Sequence, residues 1–169
     1  MSYFHEPHCP ITIDPTIQTG LGGTYNERNT GATVLEGGVI TFNSTTFDRK
    51  IGFGVSFNKT TGIITIDKAG FYLFDWTFLA GATDAGEPIG VLIALESTTG
   101  IPYALSGNTG LPLSFSGSTL IELPAGATLQ FVNRSGHSIT LVNVTGSGGL
   151  SFGGSLTVAR IENVYSTKA

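Results

Sequence analysis

The stretch from Phe71 to Leu79, Phe-Tyr-Leu-Phe-Asp-Trp-Thr-Phe-Leu, constrains this chain more than any other. Tyr72, Phe74, Trp76 and Phe78 stand at alternate positions, so an extended backbone puts four aromatic rings on one pleat face. Phe71, Leu73, Asp75, Thr77 and Leu79 point the other way, and that face is also largely apolar. A strand apolar on most of both faces is expected to be buried on both, inside a two-layer β structure or against a neighbouring subunit.

The remaining chain has little charge to spend on its surface. Charged residues make up 12% of 169 and hydrophobic ones 40%, with a mean hydropathy of +0.22, so some apolar surface is expected to be covered by other chains. The length suits one domain with a sizeable core. A formal charge of −4 and a pI near 5.2, with no basic patch, argue against a nucleic-acid partner. The N-terminus shows no signal-peptide pattern and no apolar run is long enough to span a bilayer, so neither classical secretion nor membrane insertion is expected.

Residues 1 to 30 stand apart, with three of the seven prolines, two of the three histidines and the only cysteine, and they read as an extended N-terminal arm. From residue 31 to 169 short apolar runs alternate with Gly, Asn, Ser and Thr, and no window holds helical spacing. Strands are expected at Gly38 to Asn43, Gly52 to Phe57, Ile63 to Ile66, Phe71 to Leu79, Ile89 to Glu96, Tyr103 to Ser106, Ser114 to Leu123, Thr128 to Asn133, Ile139 to Val144 and Ser151 to Ile161. Glycines in the intervening turns, Gly62, Gly70, Gly126, Gly136 and Gly149, sit where positive φ is useful. The pattern predicts an all-β, two-sheet antiparallel jelly-roll sandwich.

Several segments also carry a family resemblance. Phe47 to Phe57, the Thr61-Gly62 turn, Ile64-Thr-Ile-Asp-Lys-Ala-Gly-Phe-Tyr-Leu-Phe74, the Leu123-Pro-Ala-Gly-Ala-Thr-Leu129 hairpin within Leu120 to Phe131, and Phe152-Gly-Gly-Ser-Leu156 together resemble the jelly roll shared by the complement q-subcomponent head and tumour necrosis factor. The resemblance spans roughly Gly31 to Ile161. In its low-charge, Thr/Gly/Ala-rich style the chain is most similar to the C-terminal heads of BclA-type spore-surface glycoproteins. The resemblance implies a homotrimer with a structural or adhesive role, although no Gly-X-Y stalk precedes the domain. It makes Tyr72, Phe74, Trp76, Phe78, Leu156 and Val158 candidates for the trimer interface or the core. Apolar faces left open in water would otherwise cost about 25 cal/mol per Å².

Other residues invite chemical readings. His5, Glu6, His8 and Cys9 are ligand types that zinc accepts, but they are too close in sequence to converge easily on one ion and no second cluster completes a site. Cys9, as the sole cysteine, can form only an interchain disulfide or stay free. Asp84 and Glu87 offer two hard ligands for calcium, too few for a site. Gly149-Leu-Ser-Phe-Gly153 matches a nucleophile-elbow pattern, yet no helix is expected after it and no histidine follows Ser151. His137 is expected to be a solvated loop imidazole. Sequons begin at Asn43, Asn58, Asn133 and Asn143 and are assigned no role.

The expected function is therefore a non-enzymatic, cofactor-free structural or surface-display unit: the homotrimeric head of a bacterial spore-surface layer (exosporium) or filament tip. Residues 1–30 would dock it to a spore-coat or filament protein. The alternatives are an adhesin head binding carbohydrate or a host receptor through the loops Ala80 to Pro88 and Ser106 to Leu113, and a phage or viral fibre tip.

Overall fold

The computed structural model describes residues 20–25, 32–41, 49–51, 54–82, 90–108, 113–142, 144–145, 151–152 and 154–161. Among them there is no helix. The strands are β1 (Gly20–Tyr25), β2 (Ala32–Val34), β3 (Arg49–Ile51), β4 (Val55–Asn58), β5 (Ile63–Ile66), β6 (Gly70–Ala82), β7 (Val91–Ser97), β8 (Pro102–Asn108), β9 (Leu113–Leu123), β10 (Thr128–Asn133), β11 (Ile139–Leu141), β12 (Val144–Thr145), β13 (Ser151–Phe152) and β14 (Gly154–Ile161).

All pairings are antiparallel and divide into two main sheets and a small β12–β13 hairpin. The first sheet is organised by the 13-residue β6. β9 lines one side of it from Gly70 to Ala80, while β14 and then β11 follow one another along the other side. β1 and β3 extend the sheet beyond β14, and β2 extends it beyond β11. The second sheet runs β4-β5-β10-β7-β8. Beyond β5, residues Gly37 to Ile40 bond to β10 through Asn133, Phe131 and an isolated bridge at Val39.

The alternation of β6 decides which side is core. Tyr72, Phe74, Trp76 and Phe78 are wholly buried, and they meet Ile64, Ile66, Ile93, Leu95, Leu129 and Phe131 of the second sheet. Phe131 closes on Trp76 and Phe78 at centroid distances of 5.3 and 5.4 Å, tilted and edge-on, an arrangement worth about 0.5–1.5 kcal/mol per pair beyond area burial. The polar ends of the aromatics are satisfied. Trp76 Nε1 donates to Ser106 Oγ on β8 at 2.8 Å, joining the two sheets, and the Tyr72 hydroxyl lies within bonding distance of Gly54 O and Lys68 O. Gly117, in register with Trp76, makes room for the indole: a Cβ there would stand 2.2 Å from Cζ2.

Besides shifts at strand ends, three expectations differ from the observed fold. The Leu123 to Leu129 segment is not a hairpin, because it carries the chain from β9 in the first sheet to β10 in the second. Pro124 cannot donate to a ladder, and Gly126, at φ 85°, bonds to Ile66 O of the second sheet. Gly38 to Asn43 supplies a bridge at Val39 rather than a strand over its described residues, since Gly37, at φ 74°, turns the chain just before it. Finally, Gly20–Tyr25, within the stretch read as an arm, is a strand of the first sheet; the rest of that stretch lies outside the described residues.

Candidate functional site: the outer face of the first sheet

With the even positions of β6 filling the core, its odd positions form the outer face, which the registers order into rows. Phe71 stands between Glu122 of β9 and Ile161 of β14. Next come Leu120, Leu73 and Ala159, continued in register by Gly20. The third row holds Ser118, Asp75 and Thr157, continued by Gly22 and Arg49. The fourth holds Ser116, Thr77 and Ser155, and the fifth begins with Ser114 and Leu79.

The face is therefore apolar at one end and hydroxyl-rich at the other. Phe71, Leu73, Leu120 and Ile161 are 38%, 37%, 57% and 45% exposed in two adjacent rows, a contiguous patch rather than scattered surface residues. Full burial of such side chains is worth about 1.5–3 kcal/mol each, so covering what remains exposed would return about 1 kcal/mol apiece. Glycine at both register positions of β1 presents no side chain beside Ala159 and Thr157, which keeps that part of the face flat.

A second apolar strip lies on the other sheet. Ile101, Tyr103 and Leu105 are exposed on and just before β8, the outermost strand of its sheet. Beside it, Glu96 of β7 is nearly buried and held by Arg134, whose Nη2 reaches both carboxylate oxygens at 2.8 and 2.9 Å while Nε reaches one of them at 3.1 Å. Arg134 bonds through its backbone N–H to Leu92 O, four residues from Glu96, so its side chain lies lengthwise over the intervening Ala94–Val132 pair. A bidentate guanidinium compensates the buried carboxylate.

No family model matches the chain, and no curated protein matches it. Solved structures do resemble its backbone. The globular domain of zebrafish complement 1qA superposes with a TM-score of 0.57 at 17% identity, over 86% of this chain and 98% of that one. Eiger TNF from S. frugiperda gives 0.63 at 10% identity, over 90% and 98%. Murine APRIL at pH 5.0 gives 0.52 at 13% identity, over 85% and 99%.

The fold is the C1q/TNF-like jelly roll.

Within this jelly roll the six residues singled out from sequence, Tyr72, Phe74, Trp76, Phe78, Leu156 and Val158, all face inward and are at most 2% exposed within one chain. None of the exposed Phe71, Leu73, Leu120, Ile161, Ile101, Tyr103 and Leu105 is among those six. Phe71 and Leu73 were visible as the second apolar face of β6, but Leu120 and Ile161 join them only through the β9 and β14 registers.

His137 is not the solvated imidazole expected. Its Nε2 is buried without a hydrogen-bond partner, because Asn133 Nδ2 binds the His137 carbonyl at 2.8 Å and draws the turn onto the end of the sandwich. Asn133 also donates to Val34 O and accepts from the Ser135 N–H, so this sequon asparagine is wholly buried and engaged. Asn58 accepts from the Thr60 and Thr61 N–H groups and shapes the turn before β5. Ser151 lies on β13 of a hairpin, not at a strand-to-helix elbow. Among the described residues no group of three or more His, Cys, Asp or Glu side chains is placed to hold a metal. His5, Glu6, His8, Cys9, Asp84, Glu87, Asn43 and Asn143 lie outside the described residues.

Proposed function

We propose that this jelly roll is a non-enzymatic, homotrimeric head that acts as a structural or surface-display unit of an external layer or filament tip, in the manner of BclA-type spore-surface heads. The observation that carries the reading is the exposed patch Phe71, Leu73, Leu120 and Ile161, backed by a core that is already full. A closed ring of three needs two different surfaces on each protomer, one meeting the other around the axis. The outer face of the first sheet and the Tyr103–Leu105 edge of the second are two such surfaces. The low charge and Thr/Gly/Ala-rich composition fit the spore-surface setting, with the residues before Gly20 as the link to a coat or filament protein and Cys9 as an interchain disulfide within that link.

Light scattering on the full chain tests the assembly, with an expected mass three times the 17.6 kDa of one chain. Leu73→Asp combined with Leu120→Asp should reduce the mass to that of a monomer with an unchanged far-UV CD spectrum. A wild-type monomer at every concentration would overturn the reading. The setting is tested separately, by retention of labelled protein on spores with and without residues 1–19, a truncation that leaves β1 in the sheet; equal retention would remove the role given to the arm.

A further inference from the structure

We propose that association through the outer face of the first sheet takes up protons at Asp75, so that the copies bind one another more tightly as pH falls; this rests on the assembly reading above. Asp75 occupies the third of the five rows, on a strand flanked by β9 and β14, directly beside the apolar Leu120–Leu73–Ala159 row. A second copy seated on the patch cannot cover Leu73 without approaching this carboxylate. In a single chain Asp75 is exposed and solvated.

Among the described residues, the neighbouring elements give it no cation close by. On β9 its register partner is Ser118 and the only charged group of that strand is Glu122, two rows away at the end of the face. On β14 its partner is Thr157, while Arg160 pairs with Tyr72, a core-facing position, and donates to Ala69 O. β1 contributes Gly22 at this row, and the backbone of Arg49 on β3 stands three strand spacings off, about 14 Å away. Lys50 is in register with Leu21, one row out of step.

Covering an ionised carboxylate without a partner is costly, and the group escapes the cost by binding a proton. The neutral acid fits the site, because the Ser118 and Thr157 hydroxyls flank Asp75 at cross-strand distance and can exchange hydrogen bonds with it. The sign follows from linkage: the assembled state binds more protons than the free chain, so assembly gains as pH falls through the carboxyl range and loses as it rises. Three copies in a ring bring three such groups.

Sedimentation of the full chain, its Asp75→Asn variant and its Glu122→Gln variant between pH 7.5 and 4.5 tests this. The wild-type midpoint concentration for assembly should fall by about tenfold or more across the range, since each unit of carboxyl shift is a factor of ten per subunit. Asp75→Asn should assemble at pH 7.5 about as tightly as the wild type does at pH 4.5 and show little further response. Glu122→Gln should keep the wild-type response. Weaker assembly of Asp75→Asn would overturn the inference by showing that a cation of the neighbouring copy, such as Arg49, holds the carboxylate. A full pH response retained in Asp75→Asn would overturn it as well. Absence of association at every pH, with Leu73→Asp and Leu120→Asp without effect, would instead sink the assembly reading and this inference with it.

Discussion

The two faces of β6 are both largely apolar in sequence and have opposite fates in the fold. One carries Tyr72, Phe74, Trp76 and Phe78, all wholly enclosed, and the other carries Phe71, Leu73, Asp75, Thr77 and Leu79 on the outside of the same sheet. The difference is set by what lies opposite. The inner face meets a second sheet whose Ile64, Ile93, Leu129 and Phe131 complete one core, and the outer face meets no described strand. Apolar alternation on the inner face is thus used within the chain, and the outer face, open among the described strands, is the surface that the proposed assembly would use.

That comparison can be broken by substitution. Phe74→Ala, on the enclosed face, should cost about 3–5 kcal/mol of folding stability by denaturant titration, since neither sheet can collapse into the space. Gly117→Ala forces a methyl group onto the Trp76 ring, which is held by Phe131 and Ser106, and should cost about 2–3 kcal/mol by the same measurement. Ser106→Ala leaves the buried Trp76 N–H without its acceptor and should cost about 1–2 kcal/mol, with a blue-shifted change in indole emission or none as the control on local packing. The smallest stability effect belongs to the open face: Leu120→Asp alone, which places no second carboxylate directly opposite it, should change monomer stability by less than about 1 kcal/mol while weakening assembly. A large loss of monomer stability there would mean that the two faces do not differ as described.

Much of this was legible in the chain. Ile63–Ile66 and Thr128–Asn133 have the bounds that alternation and glycine turns predict, and β6, β7, β8 and β9 differ from expectation by a few residues at their ends. Gly20–Tyr25 was not legible, because Gly-Leu-Gly-Gly-Thr-Tyr has three glycines and no alternation; its strand conformation comes from pairing with β14 and β3. The three-residue strands Ala32–Val34 and Arg49–Ile51 are too short to show a period. The Leu123 to Leu129 turn has hairpin residues, and nothing local says that its two strands belong to different sheets. The open patch was half visible: Phe71 and Leu73 share a strand, whereas Leu120 and Ile161 are brought to them from far along the chain by register alone.

The pairing of β1 with β14 has a consequence for attachment. Gly20 sits opposite Ala159, so β1 begins and β14 ends at one and the same end of the first sheet, beside the Phe71 and Leu73 rows, while β6 runs on to Ala82 at the other. The sandwich thus has a polarity along β6. Under the attachment proposed above, a tether would pull on the end that carries the apolar patch, and the Ala82 end of β6, where Ile139 pairs with Ala82, would be the far end.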